Sequence, residues 1–282
     1  MPKSGHHNFR ACLSVIKTIL FPLLGIALLL YSIALIALYF YQQALIFPAT
    51  KLPKNYSFSY HYPFEEVTIP VDGAELHALH FKQENPKGLI FFLHGNAGNV
   101  NTWATDIEYY KQVNYDLFML DYRGYGKSTG KIQSQAQLMN DMRIAWDTVA
   151  PQYADKEIVI YGRSLGTALA TSLAREVDPA LLILVSAFSS MIEVAHAQYP
   201  FVPAWLLRYP LRTDQNISEV SSEIVFMHGN KDQLIPIEHS HRLQSLTQKP
   251  STMLTIDGAA HNDIHHFQSY LDGLASALLN RP

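Results

Sequence analysis

The chain is poor in cysteine and in charge. Of its 282 residues only one, Cys12, is a cysteine, so no internal disulfide can form, and no Cys/His spacing matches a zinc site. Charged residues make up 16% and the net charge is −3. No basic block is present, which removes the electrostatic footprint that nucleic-acid binding requires. There is no internal repeat and no low-complexity tract. The thirteen histidines are scattered, and most read as ordinary surface or loop residues. The adjacent pair His265 and His266 is expected to diverge, whether on a strand or on a helix.

Hydrophobic residues, by contrast, reach 48%, and the N-terminus explains much of this. No charge occurs from Thr18 to Thr50. The run ILFPLLGIALLLYSIALIALYFY, Ile19 to Tyr41, would span roughly 35 Å as a helix, enough to cross a hydrocarbon core. Tyr39, Phe40 and Tyr41 suit a membrane interface. A cleaved signal peptide would have a shorter apolar stretch followed by a small-residue site, and neither feature fits. A soluble core helix would not be apolar all round for so long. Lys3, Arg10 and Lys17 before the run, against Lys51 and Lys54 after it, predict a cytoplasmic N-terminus. The bulk of the chain would then lie in a periplasm or lumen. Two sequons, at Asn55 and Asn216, would matter only in a eukaryotic source. The expected organisation is a tail over 1–17, an anchor over 18–41, a linker over 42–63 and a catalytic-sized domain over 64–282.

Within that domain, strand-like and helix-like stretches alternate. EEVTIPV and ELHALHF flank Asp72-Gly73, a hairpin signal. GLIFFLHG, DLFMLDYRG, EIVIYG, ALLILVSAF, EIVFMHG and STMLTID read as strands, the inner ones continuously apolar. NVNTWATDIEYYKQV, SQAQLMNDMRIAWDTVA, the stretch from Ser164 to about Arg175, IEHSHRLQSL and DIHHFQSYLDGLASALL read as helices. The pattern predicts an α/β fold with a mostly parallel sheet covered on both faces. A less regular segment, 189–222, interrupts it.

Chemistry in such sheets collects at the carboxyl ends of the strands. There the sequence places Gly162-Arg163-Ser164-Leu165-Gly166, Asn230-Lys231-Asp232, Gly258-Ala259-Ala260-His261 and His94-Gly95-Asn96-Ala97-Gly98. Ser164, Asp232 and His261 follow the chain order of a Ser–Asp–His triad. A serine on a sharp strand-to-helix turn crowds the positions two before and two after it, which accounts for Gly162 and Gly166. Backbone N–H groups of Asn96 and Leu165 are the expected oxyanion donors. Asp257, Asp263 and Glu238 are rival partners for His261, and His94-Gly95 reads as serving only its turn.

At LHGNAGN, DYRGYGKSTG, YGRSLGTALA, HGNKDQLIP and DGAAHND the chain resembles the α/β-hydrolase superfamily. Within it, the likeness is to the Bem46-like group and to its serine aminopeptidase-like and monoacylglycerol-lipase-like relatives. The resemblance spans Leu93 to Asp263. It implies the α/β-hydrolase fold, the triad Ser164, Asp232 and His261, oxyanion donors at Asn96 and Leu165, and no metal or organic cofactor. HAQYPFVPAWLLRYPL, inside 189–222, is similar to the segment standing where other hydrolases carry larger lids, and Pro203, Trp205, Leu206 and Leu207 are candidates for an apolar acyl-binding wall or for simple packing. The segment with Asp121 and Arg123 is shared by the group and is read as a supporting loop in which those two residues pair. The expectation is a membrane-anchored serine hydrolase of ester or thioester bonds, its substrate a lipid, an acylated protein or a small molecule. A peptidase and a non-catalytic adaptor are the alternatives. Oligomeric state and acyl specificity are not legible.

Overall fold

The computed structural model describes residues 16–105 and 107–279. The tail expected over 1–17, including Cys12, lies outside them except for its last two residues.

A single turn of π-helix, Ile16–Leu20, leads into the long helix α1, Phe21–Ile46. Pro22 sits in its first turn, where the missing N–H costs no helical bond. From Lys17 to Ile46 the helical stretch has 30 residues, and it is long and apolar enough to cross a membrane. Leucines, isoleucines and aromatics along it are exposed, and the one buried residue of α1 is Gln42. The helix runs five residues beyond the Tyr41 expected as its end, with Gln42 buried and Ile46 packed against the core. The stretch that follows is irregular, as expected, yet it is strapped down. Thr50 N–H donates to Gly98 O (2.9 Å), Leu52 N–H donates to Gly126 O (2.8 Å), and Phe47 packs edge-on against Tyr209.

Eight strands form one sheet in the order β1-β2-β4-β3-β5-β6-β7-β8. They are β1 Phe64–Val71, β2 Ala74–Phe81, β3 Gly88–Leu93, β4 Tyr115–Asp121, β5 Glu157–Arg163, β6 Leu181–Val185, β7 Glu223–Gly229 and β8 Ser251–Ile256. β1 and β2 form the hairpin expected at Asp72-Gly73, with Val71 facing Ala74 and Gly73 at φ 67°. β2 pairs antiparallel with β4, and every remaining pairing is parallel. The inner strands are buried on both faces because alternate residues feed two cores. Ile160, Leu182 and Phe226 enter one, while Val159, Tyr161, Ile183 and Met227 enter the other.

The remaining helices are α2 Val100–Trp103, α3 Ile107–Gln112, α4 Gln135–Val149, α5 Leu165–Val177, α6 Met191–Gln198, α7 Thr213–Asn216, α8 Glu238–Leu246 and α9 Gln268–Leu279. Two sequence expectations change here. NVNTWATDIEYYKQV is not one helix: α2 ends at Ala104, whose ψ of 52° leaves the helical range, and α3 starts afresh. DIHHFQSYLDGLASALL is also broken, into a 3₁₀ turn Ile264–His266 and α9. That turn corrects the expectation for His265 and His266, whose rings lie 3.9 Å apart rather than diverging. The supporting pair is corrected as well. Arg123 pairs with buried Asp141, Nη2 to Oδ1 2.8 Å, whereas Asp121 accepts the Val100 N–H at 2.8 Å and lies against His94.

Candidate active site

Central strand β5, flanked by β3 and β6, ends at Arg163, and α5 begins at Leu165. Ser164 alone joins them, at φ 52° and ψ −119°. A non-glycine residue there is strained, and the surroundings must hold it. Ser164 N–H donates to Val185 O at the end of β6 (2.9 Å), and Ser164 O accepts both the N–H and the hydroxyl of Thr167 (2.9 and 2.6 Å).

The flanking glycines are required by packing. A Cβ on Gly162 would meet Gly166 O at 2.6 Å and Ala170 Cβ at 2.7 Å, inside the helix that must close over the strand. A Cβ on Gly166 would lie 2.0 Å from Leu93 O and 2.7 Å from His94 O, so α5 could not approach β3. The three carbonyl oxygens are backbone and the Ala170 methyl has no rotamer to move to, so none can rotate away. Gly166→Ala is expected to cost at least about 3 kcal/mol, lowering the melting temperature by roughly 6–12 °C. A thermal melt unchanged from the wild type would show that α5 can slide at no cost.

Three strand ends converge on Ser164. His261, after β8, lies with Nε2 2.9 Å from Ser164 Oγ. Asp232, after β7, lies with Oδ2 2.7 Å from His261 Nδ1. The other Asp232 oxygen accepts the N–H groups of Leu234 (3.0 Å) and Ile235 (2.8 Å). Burial works against the Asp232 charge, but hydrogen bonds from His228, His261 and the Ile235 N–H outweigh it and hold the carboxyl well below the usual carboxylate range. An ionised Asp232 can only accept. His261 Nδ1 must therefore carry the proton, which leaves Nε2 to accept from the serine hydroxyl. The rival acids are engaged elsewhere: Asp257 accepts from the Asn230 amide (2.6 Å) and Asp263 from the Ala260 N–H (2.7 Å).

Two neighbours were not singled out in the sequence. His228, fully buried on β7, bonds Ile235 O through Nε2 (2.8 Å) and Ser240 Oγ through Nδ1 (2.7 Å), and it lies 3.3 Å from Asp232 Oδ2. Its one sequence signal is its place at the end of an apolar strand, two residues before the Asn-Lys-Asp turn. Arg163 reaches over the turn that carries His261, with Nη2 3.3 Å from His261 O, and stacks on Trp103.

Ser164 opens onto a mostly apolar cavity of about 320 Å3. Asn96 and Leu165 line it, and neither N–H donates to a protein acceptor among the described residues. His94 serves its turn, with Nδ1 2.7 Å from Gly95 O. Of the expected apolar wall, Leu206 and Leu207 reach the cavity but Pro203 and Trp205 do not. Ala204–Leu206 is a 3₁₀ turn, in which neighbours diverge by about 120°. Leu206 turns inward and Trp205 is left 77% exposed. Further parts of the wall come from α6, from Phe188, Leu234 and Ile235 and, unforeseen, from α1.

Known proteins resemble this chain in sequence and in fold. Residues 84–213 match the family described as serine aminopeptidase, S33. Alpha/beta hydrolase domain-containing protein 17B of Xenopus tropicalis is 31% identical over 193 residues, covering 67% of this chain and 66% of that relative. The human protein of the same name matches equally well. The chain belongs to the α/β-hydrolase superfamily. It spans just under two thirds of the length of these relatives. Among solved structures, an esterase of Pyrococcus furiosus superposes with a TM-score of 0.66 at 16% identity, covering 82% of this chain and 99% of its own. An α/β-hydrolase of Vibrio vulnificus gives 0.63 at 20%, covering 76% and 80%. At such identities these two attest the fold, which here is the α/β-hydrolase fold preceded by one apolar helix.

Proposed function

We propose that the protein is a membrane-anchored serine hydrolase that cleaves ester or thioester acyl bonds, with Ser164 as nucleophile. The observation that carries this reading is the unbroken relay Ser164–His261–Asp232, at 2.9 and 2.7 Å, opening onto an apolar cavity. Ser164 Oγ attacks the acyl carbon while His261 Nε2 takes its proton. Asp232 holds the imidazole tautomer and stabilises its charge. The oxyanion settles against the N–H groups of Asn96 and Leu165, each worth ~100- to 1000-fold in turnover. His261 then protonates the leaving alcohol or thiol, and water repeats the sequence on the acyl-enzyme.

The substrate is a lipid or other acylated molecule. The esterase name of the Pyrococcus relative supports ester chemistry. The serine aminopeptidase description of the family supports a peptidase instead; a free substrate amine needs an acidic or carbonyl-lined subsite, and among the described residues the cavity has no carboxylate in its lining, its polar groups there including the amides of Gln42, Asn96 and Gln198. In this reading α1 anchors residues 64–282 on the periplasmic or lumenal face. Digestion of that domain in sealed membranes from the cytoplasmic side would reverse the topology.

The test is hydrolysis of matched oxygen esters, thioesters and aminoacyl amides, from acetyl to palmitoyl, beside labelling by a fluorophosphonate. Turnover and labelling of acyl esters support the reading. Turnover of aminoacyl amides alone gives the peptidase, and neither turnover nor labelling gives a non-catalytic fold.

A further inference from the structure

The cavity beside Ser164 is closed on one side by the apolar helix itself. Leu38, Gln42, Leu45 and Ile46 line it. Their spacing of four, seven and eight residues places them on a single face of α1. The helical stretch from Lys17 to Ile46 has 30 residues, about 45 Å, whereas roughly 20 residues cross a bilayer core. Counted from Thr18, the crossing is complete near Leu38, so the lining residues begin where the helix leaves the lipid.

Specific polar contacts set the helix against the lid-like segment. Gln42 Nε2 donates to Leu206 O (3.1 Å), and Gln42 Oε1 accepts the Arg208 N–H (2.8 Å). A buried amide satisfied at both ends holds one register, which a flexible tether would not do. Further back, the Tyr31 hydroxyl donates to Phe201 O (2.5 Å), which hangs the loop after α6 beside the membrane-crossing part of α1. That loop carries Tyr199, Phe201 and Trp205, 54%, 84% and 77% exposed. Aromatic residues displayed beside a lipid-facing helix are suited to immersion in the same leaflet. Tyr199 also lines the cavity, so the apolar surface is continuous from lipid to Ser164.

We propose that the C-terminal turns of α1 are a substrate-binding element: they form a wall of the acyl-chain site, and the chain of a membrane-borne ester or thioester enters sideways from the leaflet between α1 and the loop 199–205. This rests on the hydrolase reading above and adds the source and the path of the substrate.

The test uses the full-length protein in vesicles. Leu38→Trp and the more exposed Leu45→Trp narrow the wall, and Leu23→Trp, remote from the cavity, is the control. The ratio of palmitoyl to acetyl kcat/KM is expected to fall at least about tenfold in the first two, the loss from excluding about two methylenes, and to hold in the third. If Leu38→Trp does not fold, Leu45→Trp carries the same test. A fluorescent long-chain fatty acid is also titrated into Ser164→Ala, alone and combined with Leu45→Trp, and the combination is expected to bind it about tenfold more weakly. An unchanged ratio and unchanged binding would overturn the inference and leave α1 an anchor. If no ester turns over but fatty-acid binding still depends on Leu45, the hydrolase reading fails and the acyl site stands.

Discussion

Ser164→Ala is expected to lose about a millionfold in turnover of any acyl ester the wild type accepts, with the fold unchanged. Among the described residues the Ser164 hydroxyl is bonded to His261 alone, and the strained φ of 52° is shared by alanine in the same position. Removing the hydroxyl therefore deletes the nucleophile and little else. Residual catalysis over water, from the oxyanion donors and substrate binding, would be roughly 1000- to 10,000-fold. The measurement is ester turnover with a thermal melt on the same preparation. Turnover within tenfold of the wild type, by a protein of unaltered melting temperature, would remove Ser164 from the mechanism.

Asp232→Asn is expected to cost about 10,000-fold in kcat, through the tautomer. With the carboxylate present, His261 Nδ1 donates and Nε2 is free to accept. With an amide present, the amide N–H₂ can donate to Nδ1, so Nε2 carries the proton and cannot take another from serine. Because Asp232 is held well below the ordinary carboxylate range, it is ionised at neutral pH, and the comparison is of a charge with a neutral isostere. The sign of its stability effect follows. The folded state binds this proton less readily than the unfolded chain. The carboxylate therefore contributes stability above about pH 4 and loses it as pH falls further. Asp257→Asn is the matched control, since Asp257 bonds the Asn230 side chain, and its turnover is expected to stay within tenfold of the wild type. A loss from Asp257→Asn that equalled the loss from Asp232→Asn would reassign the acid.

The parts of the site readable in advance were those that chemistry writes locally. A serine between two glycines at the change from strand to helix is a backbone requirement, and its reason is visible as the 2.0 Å approach of a Gly166 Cβ to Leu93 O. Asp232 and His261 were picked out by strand-end position and order. Asp232 was preferred over Asp257, Asp263 and Glu238 on order and position, and only the placed loops show that Asp257 and Asp263 turn to Asn230 and Ala260 instead. Trp205 went the other way: the resemblance of its segment to a lid made it a candidate wall residue, and a 3₁₀ turn faces it outward. Helix breaks at Ala104 and Phe267 were also missed, since neither residue is a strong breaker and the periodicity on each side is helical.

From the order of residues alone, this protein was determined to be an alternating α/β chain with an apolar helix at its start and a strained serine at the end of a central strand. Periodicity, turn chemistry and steric limits act over a few residues, so a linear reading can reach them. What only the tertiary structure decided was which side chains share a cavity. Gln42 stands 164 residues from Leu206 along the chain and bonds its carbonyl. Contacts of that separation depend on how whole elements pack, and no local pattern encodes them. In this chain they turn an expected anchor into a wall of the cavity at Ser164.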